Sequence, residues 1–374
     1  MARRRPQARS AVGRTSDGIA TTARCEPLAP VYHGLAVTKL IIQIPCLNEE
    51  EFLPRTLADL PRRVDGIDEV EWLVIDDGST DGTVEVARAG GVDHVVRLTN
   101  NKGLAAAFAA GLDASLKLGA DVIVNLDADN QYRAADIPSL VAPILAGQAD
   151  MVVGTREVRH IEHFSPAKKL LQRLGSWVVR RASGTTVSDT TSGFRAYNRE
   201  AALQLQVVGD FTYTLESLIQ AGKMLVAIEQ VPIATNPPLR SSRLFPSTSS
   251  YVRRNALAVF RAYAMYEPLR VFTIAALVLG VAALGAWTPF LADWILHGDS
   301  SGHVQSLILG AVLAIAAVQV FALGVIGDAL AGQRVMTQRT LERIRRVELN
   351  LGIEPSHYER GTPASIEEIE RIGA

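Results

Sequence analysis

Short apolar runs alternate with longer amphipathic stretches between residues 39 and 153. The short runs indicate strands that are buried on both faces, and the stretches with apolar residues three or four positions apart indicate helices. Such alternation predicts an α/β fold class, with a mostly parallel sheet covered by helices on both faces. The predicted strands are 40–44, 72–75, 94–98, 122–126 and 151–153, and the predicted helices are 49–64, 83–89, 103–118 and 134–146.

Two much longer apolar stretches follow near the C-terminus. Residues 271–296 carry a single charge, Asp293, and residues 304–327 carry none. Each is long enough to cross a hydrocarbon core of about 30 Å. The connecting loop, 297–303, has no Lys or Arg, whereas several Arg residues flank the other ends of both stretches. By the positive-inside rule this predicts an α-helical transmembrane hairpin in the cell membrane, with both termini and the globular part cytoplasmic.

These patterns divide the chain into five parts. The first part has no hydrophobic periodicity and many Arg residues, which is typical of a disordered basic tail. The last part reads as a charged amphipathic helix, with contact to the membrane interface or self-association into a homo-oligomer as its expected uses. The predicted parts are a tail (1–38), a catalytic domain (39–246), interfacial amphipathic helices (247–268), two transmembrane helices (269–332) and a cytoplasmic helix with its tail (333–374).

Composition and charge refine this division. Charged residues make up only 21% and hydrophobic residues 48%, which excludes disorder throughout the chain. The two cysteines, Cys25 and Cys46, exclude a disulfide scaffold and lack the spacing of a zinc site. The net charge of −1 averages +4 for residues 1–35, −10 for residues 36–150 and +5 for the remainder. We therefore expect an acidic catalytic half and a basic half that faces an anionic lipid bilayer, with no nucleic acid as partner.

Polar side chains follow the predicted strand 122–126. Alternation along an extended segment would put Asp127, Asp129 and Gln131 on one side. Carboxylate oxygens, an amide oxygen and substrate phosphates are suitable ligands for Mg²⁺ or Mn²⁺. The alternative is an acidic turn that caps the helix beginning at Ala134.

Two other loops carry acidic side chains at predicted strand ends. Asp76 and Asp77 are adjacent and would repel each other unless donors such as base N–H or ribose hydroxyl groups occupied them. In the first loop, Asn48 and Glu49 either cap the following helix or hold a nucleoside. The absence of Gly-x-Gly-x-x-Gly here argues against a dinucleotide-binding fold of the dehydrogenase type.

A third loop, 100–103, opens the Ala-rich helix. Its backbone N–H groups and Lys102 could meet a phosphate.

In this order and at strand ends, the motifs resemble inverting glycosyltransferases of family two, which have the nucleotide-sugar-binding fold called GT-A. The resemblance covers residues 40 to about 244, and the hairpin extends it to about 348. Within the family, the chain looks most like polyprenyl-phosphate glycosyltransferases, the dolichol-phosphate mannose synthase group. The matching residues are Pro45, Asn48 and Glu49; Asp76 to Ser79; Asp127, Ala128, Asp129 and Gln131; Gly154 to Arg156; and Asp189 to Arg195.

The resemblance implies a role for each of these positions. Asn48, Glu49 and Asp76 would hold the nucleoside, with Pro45, Asp77 and Lys102 as further donor contacts. Asp127, Asp129 and Gln131 would bind the metal on the diphosphate, which makes Asp129 central to catalysis. Arg156, Ser192 and Arg195 would lie near the acceptor phosphate or sugar, with Asp189 as the fallback general base or as a residue that orients Arg195 or Arg156.

One segment departs from the group's pattern. A Gly-x-Ser-Lys stretch is common after the fold, but this chain has Arg240, Ser241, Ser242 and Arg243 there. Arg243 still offers a permanent cation to the phosphates, and Arg240 a second one. A basic loop at the membrane surface is the alternative, and it fits Arg240 better than Arg243.

The expected activity is therefore transfer of a hexose from a UDP- or GDP-linked sugar to a polyprenyl phosphate, with inversion, on the cytoplasmic face of the membrane. The motifs do not choose the sugar or the nucleotide. A processive polysaccharide synthase is disfavoured because the chain lacks Gln-x-x-Arg-Trp and further membrane helices. A transferase acting on another lipid or on protein, and a nucleotide-sugar-binding membrane partner without turnover, are the remaining alternatives.

Overall fold

The computed structural model describes residues 37–156, 183–207, 213–237, 266–298 and 303–361, together with residues 180, 260 and 264. The predicted basic tail lies outside these residues except for its last two positions. The predicted interfacial segment lies outside them except for its C-terminal end and residues 260 and 264. Arg240 and Arg243 also lie outside the described residues.

The described elements follow the predicted alternation. The strands are β1 (Lys39–Cys46), β2 (Glu69–Asp76), β3 (His94–Arg97), β4 (Val122–Asn125), β5 (Met151–Arg156), β6 (Arg195–Asn198), β7 (Ile228–Ile233) and β8 (Tyr358–Arg360). The helices are α1 (Leu53–Asp59), α2 (Thr83–Ala89), α3 (Leu104–Lys117), α4 (Ile137–Leu145), α5 (Arg199–Gln204), α6 (Tyr213–Lys223), α7 (Pro268–His297) and α8 (Val304–Asn350).

The strands form one sheet in the order β7-β5-β6-β4-β1-β2-β3-β8. The pairs β1–β2, β1–β4, β2–β3 and β5–β7 are parallel. Strand β6 is antiparallel to both β4 and β5, and β8 is antiparallel to β3. The predicted α/β class with a mostly parallel sheet is confirmed.

Both faces of the sheet are buried, which explains why its strands are continuously apolar. Along β1, Leu40, Ile42 and Ile44 pack into a core with residues of α1, α2 and α4. Ile41, between them, packs into a second core with residues of α3, α5 and α6. These side chains are completely buried, and each stabilises the fold by about 1.5–3 kcal/mol.

The periodicity did not predict three of the strands. Strand β6 has only four residues, and it begins with Arg195. Strand β7 contains Pro232 and is only partly buried, and β8 has three residues. Helix α1 is also shorter than predicted, because it begins at Leu53 with a proline in its first turn.

The two apolar stretches form the long helices α7 and α8. Both are long and apolar enough to cross a membrane, and their side chains are mostly exposed. They pack together through small residues: a Cβ added to Gly310 would lie 2.1 Å from the Trp287 ring, and one added to Gly324 would lie 2.8 Å from the Phe272 Cβ. Close packing over glycine is typical of helix pairs in membranes.

Helix α8 continues beyond its apolar part and packs against the sheet domain. The Arg345 guanidinium donates to the carbonyl oxygens of Leu203 and Leu205 at 3.2 and 2.9 Å. Lys117 Nζ lies 3.3 Å from Glu348, and the chain then adds β8 to the edge of the sheet. The predicted cytoplasmic helix is thus the second half of α8, and it contacts the sheet domain itself.

Candidate active site

Four polar loops meet at one edge of the sheet. They follow β1, β2, β3 and β4, which are mutually parallel, so their carboxyl ends lie side by side. Ligands of open parallel sheets bind beyond these strand ends. The structure therefore brings together the four loops that carry the predicted donor-site and metal-site residues.

The first two loops hold each other in place. Asn48 has a positive φ of 54°, and its side-chain oxygen accepts a hydrogen bond from the Thr80 N–H at 2.8 Å. The Asn48 N–H donates to Ser79 Oγ at 2.9 Å, and the Glu49 N–H donates to Thr83 Oγ1 at 2.8 Å. Asn48 and Glu49 thus join the first loop to the second. Pro45 is buried within β1, just before the first loop.

The adjacent carboxylates Asp76 and Asp77 have different environments. Asp77 accepts hydrogen bonds from the Lys102 and Gly103 N–H groups at 2.7 and 2.8 Å, so its oxygens hold the third loop. Asp76 is completely buried, and only its Oδ1 accepts a hydrogen bond, from the Ser79 N–H at 2.9 Å. Asp76 Oδ2 has no hydrogen-bond donor among the described residues and lies 3.5 Å from Arg97 Nε. Asp76 is therefore the carboxylate with an oxygen that no described donor occupies, although a nucleoside would reach this buried oxygen only after a movement of the surrounding loops.

The third loop differs from the expectation that its backbone would bind a phosphate. The N–H groups of Lys102 and Gly103 are already donated to Asp77. Of the groups in this loop that were expected to bind a phosphate, the exposed Lys102 side chain is the one still available.

The metal-motif loop is a turn, and the extended geometry expected from the sequence is wrong. Residues 128 and 129 form the turn, and Asn130 has a positive φ of 53°. The turn still brings Asp127 and Asp129 close enough for their charges to interact. The Gln131 side-chain amide donates to Asp129 Oδ2 at 2.8 Å, which joins the third member of the motif to the second.

The chemistry of this loop fits a divalent cation. Burial and then the charge of Asp129 raise the pKa of Asp127 to about 7, against the opposing effect of Arg156 and Arg195. A cation between the two carboxylates would remove their repulsion. The described residues hold no group of three or more His, Cys, Asp or Glu side chains placed to bind one metal ion, so the remaining ligands of a metal here would be Gln131, phosphate oxygens and water.

Arg156, at the end of β5, forms a two-pronged ion pair with Asp189. Its Nε lies 2.7 Å from Asp189 Oδ2, and its Nη2 lies 3.0 Å from Asp189 Oδ1 and 3.0 Å from Thr191 Oγ1. Although burial opposes it, the hydrogen bond and charge of Arg156 lower the pKa of Asp189. A carboxylate with a lowered pKa is a weak base, so this geometry favours Asp189 as the residue that orients Arg156.

Arg195 is placed differently from the expectation that it lies near the acceptor. It is completely buried and donates to the Ser192 and Thr190 carbonyl oxygens at 2.8 and 3.1 Å and to Ser217 Oγ at 2.8 Å. With no exposed surface it cannot contact a substrate in this conformation, so it positions the loop 190–193. Ser192 in that loop is also completely buried, and its hydroxyl has no hydrogen-bond partner among the described residues.

A buried polar network lies beneath Asp127 and was not predicted from the sequence. Gln43 Nε2 donates to Asn125 Oδ1 at 2.9 Å, and Asn125 Nδ2 donates to the Gly193 carbonyl and to Tyr213 Oη at 2.9 and 3.0 Å. A Cβ on Gly193 would lie 2.6 Å from Tyr213 Oη and 3.1 Å from Asp127 Oδ2, so a side chain here would displace the Tyr213 hydroxyl. The available signal was a polar residue inside each of two apolar strands, Gln43 in β1 and Asn125 in β4.

Comparison with known proteins identifies the family. Residues 41–205 match the model of glycosyl transferase family 2. The chain is 30% identical to the undecaprenyl-phosphate mannosyltransferase of Micrococcus luteus over 205 residues, which are 52% of this chain and 82% of that protein. It is 32% identical to the polyprenol monophosphomannose synthase of Mycolicibacterium smegmatis over 169 residues, 43% of this chain and 62% of that one.

One further relative and one solved structure are also similar to this chain. The UDP-N-acetylglucosamine–dolichyl-phosphate N-acetylglucosaminyltransferase of Methanococcus voltae is 29% identical over 217 residues, 51% of this chain and 83% of that one. Among solved structures, glucosyl-3-phosphoglycerate synthase of Mycobacterium tuberculosis, in complex with Mn²⁺, UDP and glucosyl-3-phosphoglycerate, gives a TM-score of 0.48 at 25% identity, over 59% of this chain and 80% of that one.

The family match begins in β1, ends just after α5 and spans the loops described above, and the predicted GT-A-like fold is confirmed with it. The chain belongs to glycosyl transferase family 2.

Proposed function

We propose that the protein transfers a hexose from a nucleotide sugar to a polyprenyl phosphate at a membrane, with inversion at the anomeric carbon. The proposal rests mainly on one edge of the sheet. There, Asp127 and Asp129 lie near the ion pair between Arg156 and Asp189. The same chain continues into two helices long enough to cross a bilayer. The relatives named for polyprenyl, undecaprenyl and dolichyl phosphate support this choice of acceptor.

The donor would bind across the first three loops. Asp76 Oδ2, which is buried in this conformation, would accept a hydrogen bond from the base or ribose once the loop held by Asn48 shifts. Asp127, Asp129 and Gln131 would hold Mg²⁺ or Mn²⁺. When bound, the ion neutralises charge on the leaving diphosphate. Lys102, and Arg240 and Arg243 from outside the described residues, are the proposed additional cations for the phosphates.

The acceptor would bind beside Arg156. A guanidinium fixed by Asp189 through Nε and Nη2 would donate to a phosphate through Nη1, which would also help to orient the acceptor toward the anomeric carbon. An acceptor phosphate oxygen forms the new bond to that carbon, and the bond to the diphosphate oxygen breaks with its electron pair. Since a phosphate is already anionic at neutral pH, the step requires no strong general base.

Helix α8 connects the apolar hairpin to the sheet domain. From its apolar part, α8 passes the end of α6, then α5, then α3, and the chain finally reaches β3 at the far side of the sheet. In the sheet order, β7 is the strand that follows α6, whose last residue Lys223 pairs with Glu267 before α7, and β3 and β8 lie at the opposite end of the order.

A product assay tests this proposal. The full-length protein in nanodiscs is given radiolabelled UDP- and GDP-sugars with polyprenyl phosphate and Mg²⁺ or Mn²⁺, and products are separated by thin-layer chromatography. We expect one donor to yield an acid-labile glycolipid that disappears with a chelator. Radiolabel in a different lipid or in protein would show that polyprenyl phosphate is not the acceptor. Donor binding without transfer or hydrolysis would contradict enzymatic function.

A further inference from the structure

The turn between α6 and β7 lies level with the ends of the apolar helices. Lys223, at the end of α6, forms an ion pair with Glu267, the residue just before α7. At the start of α7, Pro268 lies against Gly327 of α8, where an added Cβ would be 2.8 Å from the Pro268 Cβ. Since Gly327 ends the uncharged stretch of α8, this turn is at the height where a bilayer would meet water.

A cavity opens at the same level, between α6, the start of α7 and α8. Its volume is about 680 Å³. It begins beside Asp328, the first charge after the apolar stretch, and extends along α8 to Glu342. Tyr266, an amphipathic residue of the kind enriched at membrane interfaces, is part of its wall. The cavity is separate from the candidate active site, because it lies at the C-terminal end of α6, whereas Tyr213 at the N-terminal end contacts Asn125 beneath Asp127.

Three cations line this cavity, and two of them have no ion-pair or hydrogen-bond partner among the described residues. Arg334 and Arg339 face it, and neither forms an ion pair or hydrogen bond within the part of the chain that the structure describes. Lys223 is a third cation, already paired with Glu267. Of the two acidic residues in the wall, Glu342 is paired with Arg346, which leaves Asp328 as an acceptor for a hydroxyl group.

Leu225 in the same turn points an apolar side chain outward. Its exposed fraction is 90%, the largest among the exposed large apolar residues of the described chain. Its φ is 59°, a left-handed conformation that is unfavourable for leucine. An apolar side chain in a strained, fully exposed position has no structural use in water, but it would be favourable in the acyl-chain region of a bilayer.

We propose that this cavity binds the headgroup of an anionic phospholipid that carries hydroxyl groups, such as phosphatidylglycerol, while Leu225 enters the adjoining acyl region. Arg334 and Arg339 contact the phosphate, and Asp328 accepts from a headgroup hydroxyl. This second attachment holds the β7 edge of the sheet against the membrane. The inference rests on membrane insertion of the hairpin, which belongs to the proposed function, but not on the identity of donor or acceptor.

The first test measures the depth of position 225. Leu225→Cys is introduced into the full-length Cys25→Ser protein, in which the remaining Cys46 is buried, and is labelled with a fluorophore. Leu351→Cys is the matched control, since it is also an exposed leucine but lies just beyond the far end of α8. In nanodiscs that contain nitroxide lipids, we expect quenching at position 225 and none at position 351. Equal, weak quenching at both positions would overturn the proposal.

The second test measures lipid preference by native mass spectrometry. We expect the Arg334→Gln/Arg339→Gln variant to lose its preference for phosphatidylglycerol over phosphatidylcholine by about tenfold or more. Arg343→Gln, on the same helix but outside the cavity wall, should retain the preference. Unchanged preference in the double variant, or displacement of the lipid by millimolar inorganic phosphate, would overturn the proposal.

A carbonate wash of membranes separates this inference from the proposed function. Release of the wild-type protein would contradict the hairpin anchor, and both proposals would fail. Retention without a preference for phosphatidylglycerol would overturn only the headgroup site.

Discussion

Leucine has opposite surroundings in the two halves of this chain. Leu73 in β2 is completely buried between two layers of helices, whereas Leu284 in α7 is 60% exposed. The first half excludes water by folding around a sheet, and the second presents its apolar side chains outward. The overall hydrophobic content of 48% therefore averages a buried sheet core and a pair of helices with exposed apolar side chains.

Polar groups differ between the halves in the same way. In the sheet domain they are buried and bonded to one another, as Arg195 is to Ser217. In the hairpin, the described charges lie near its ends, where Asp293 pairs with His303 at 2.8 Å. Chemistry is therefore expected from the sheet domain, and attachment from the hairpin.

The largest effect should come from removing the metal-motif carboxylate. Asp129→Ala should lower transfer by on the order of a thousandfold, because the leaving diphosphate loses its charge stabilisation. Circular dichroism and the thermal midpoint should remain close to those of the wild type. Asp113→Asn, a change to a half-buried carboxylate on α3 that pairs with Lys117, is the control and should keep full activity. Full transfer activity in the Asp129→Ala variant would contradict the assignment of Asp129 as a metal ligand.

A matched pair of leucine substitutions tests the difference between the buried sheet core and the exposed surface of the hairpin. Leu73→Ala should lower the free energy of unfolding of the sheet domain by about 2–5 kcal/mol, since it leaves a cavity in a close-packed core. Leu284→Ala should change it by less than about 1 kcal/mol, because that side chain contacts no core. Denaturant titration in detergent measures both values. Similar losses of unfolding free energy in the two variants would contradict the division into a buried core and an exposed apolar surface.

The Arg156–Asp189 pair tests where the acceptor binds. Asp189→Asn should raise the KM for the acceptor and lower kcat/KM by about ten- to a hundredfold, because Arg156 loses the partner that orients it. The KM for the nucleotide sugar should change little. A loss confined to kcat, together with a new pH dependence, would instead identify Asp189 as a general base.

A smaller effect should depend on pH. Glu71 lies 2.9 Å from His94 Nε2 and 3.1 Å from Lys39 Nζ. Although burial opposes it, these two groups lower the pKa of Glu71 from its ordinary value of 4.5 to about 2. Because the folded-state pKa is the lower one, the stabilisation is present above pH 4.5 and is lost as the pH falls towards 2.

Glu71→Gln should therefore cost about 1–2 kcal/mol of unfolding free energy near neutral pH and progressively less in acid. Denaturant titrations at several pH values measure this. The control is Glu69→Gln, whose partner is also Lys39 but whose side chain is 46% exposed, so a smaller change is expected. A cost that does not depend on pH would show that the effect is steric.

Much of the fold could be predicted because its central strands are buried on both faces. Strands β1 to β5 are short apolar runs, and α2 and α3 have the predicted limits to within one residue. Strands β6 and β8 could not be predicted, because they are short, partly polar and held by neighbours distant in sequence. The docking of α8 on the sheet domain likewise depends on tertiary contacts such as that of Arg345 with Leu203.

The candidate site could be predicted as a set of loops but not as a set of contacts. Residue type and position at strand ends were sufficient to single out Asp76, Asp127 and Arg156. The same reasoning could not separate Asp77, which holds a neighbouring loop, from Asp76, which has a buried oxygen without a hydrogen-bond donor among the described residues. Nor could it show that Arg195 is buried, because a motif does not reveal which way a side chain points.

The linkage formed in the product tests the central claim most directly. With the donor that the screen selects, the glycolipid is purified, and its anomeric configuration and phosphodiester linkage are determined by NMR. We predict a sugar joined through its anomeric carbon to polyprenyl phosphate, with configuration inverted relative to the donor. A retained configuration, or a product without polyprenyl phosphate, would contradict the account.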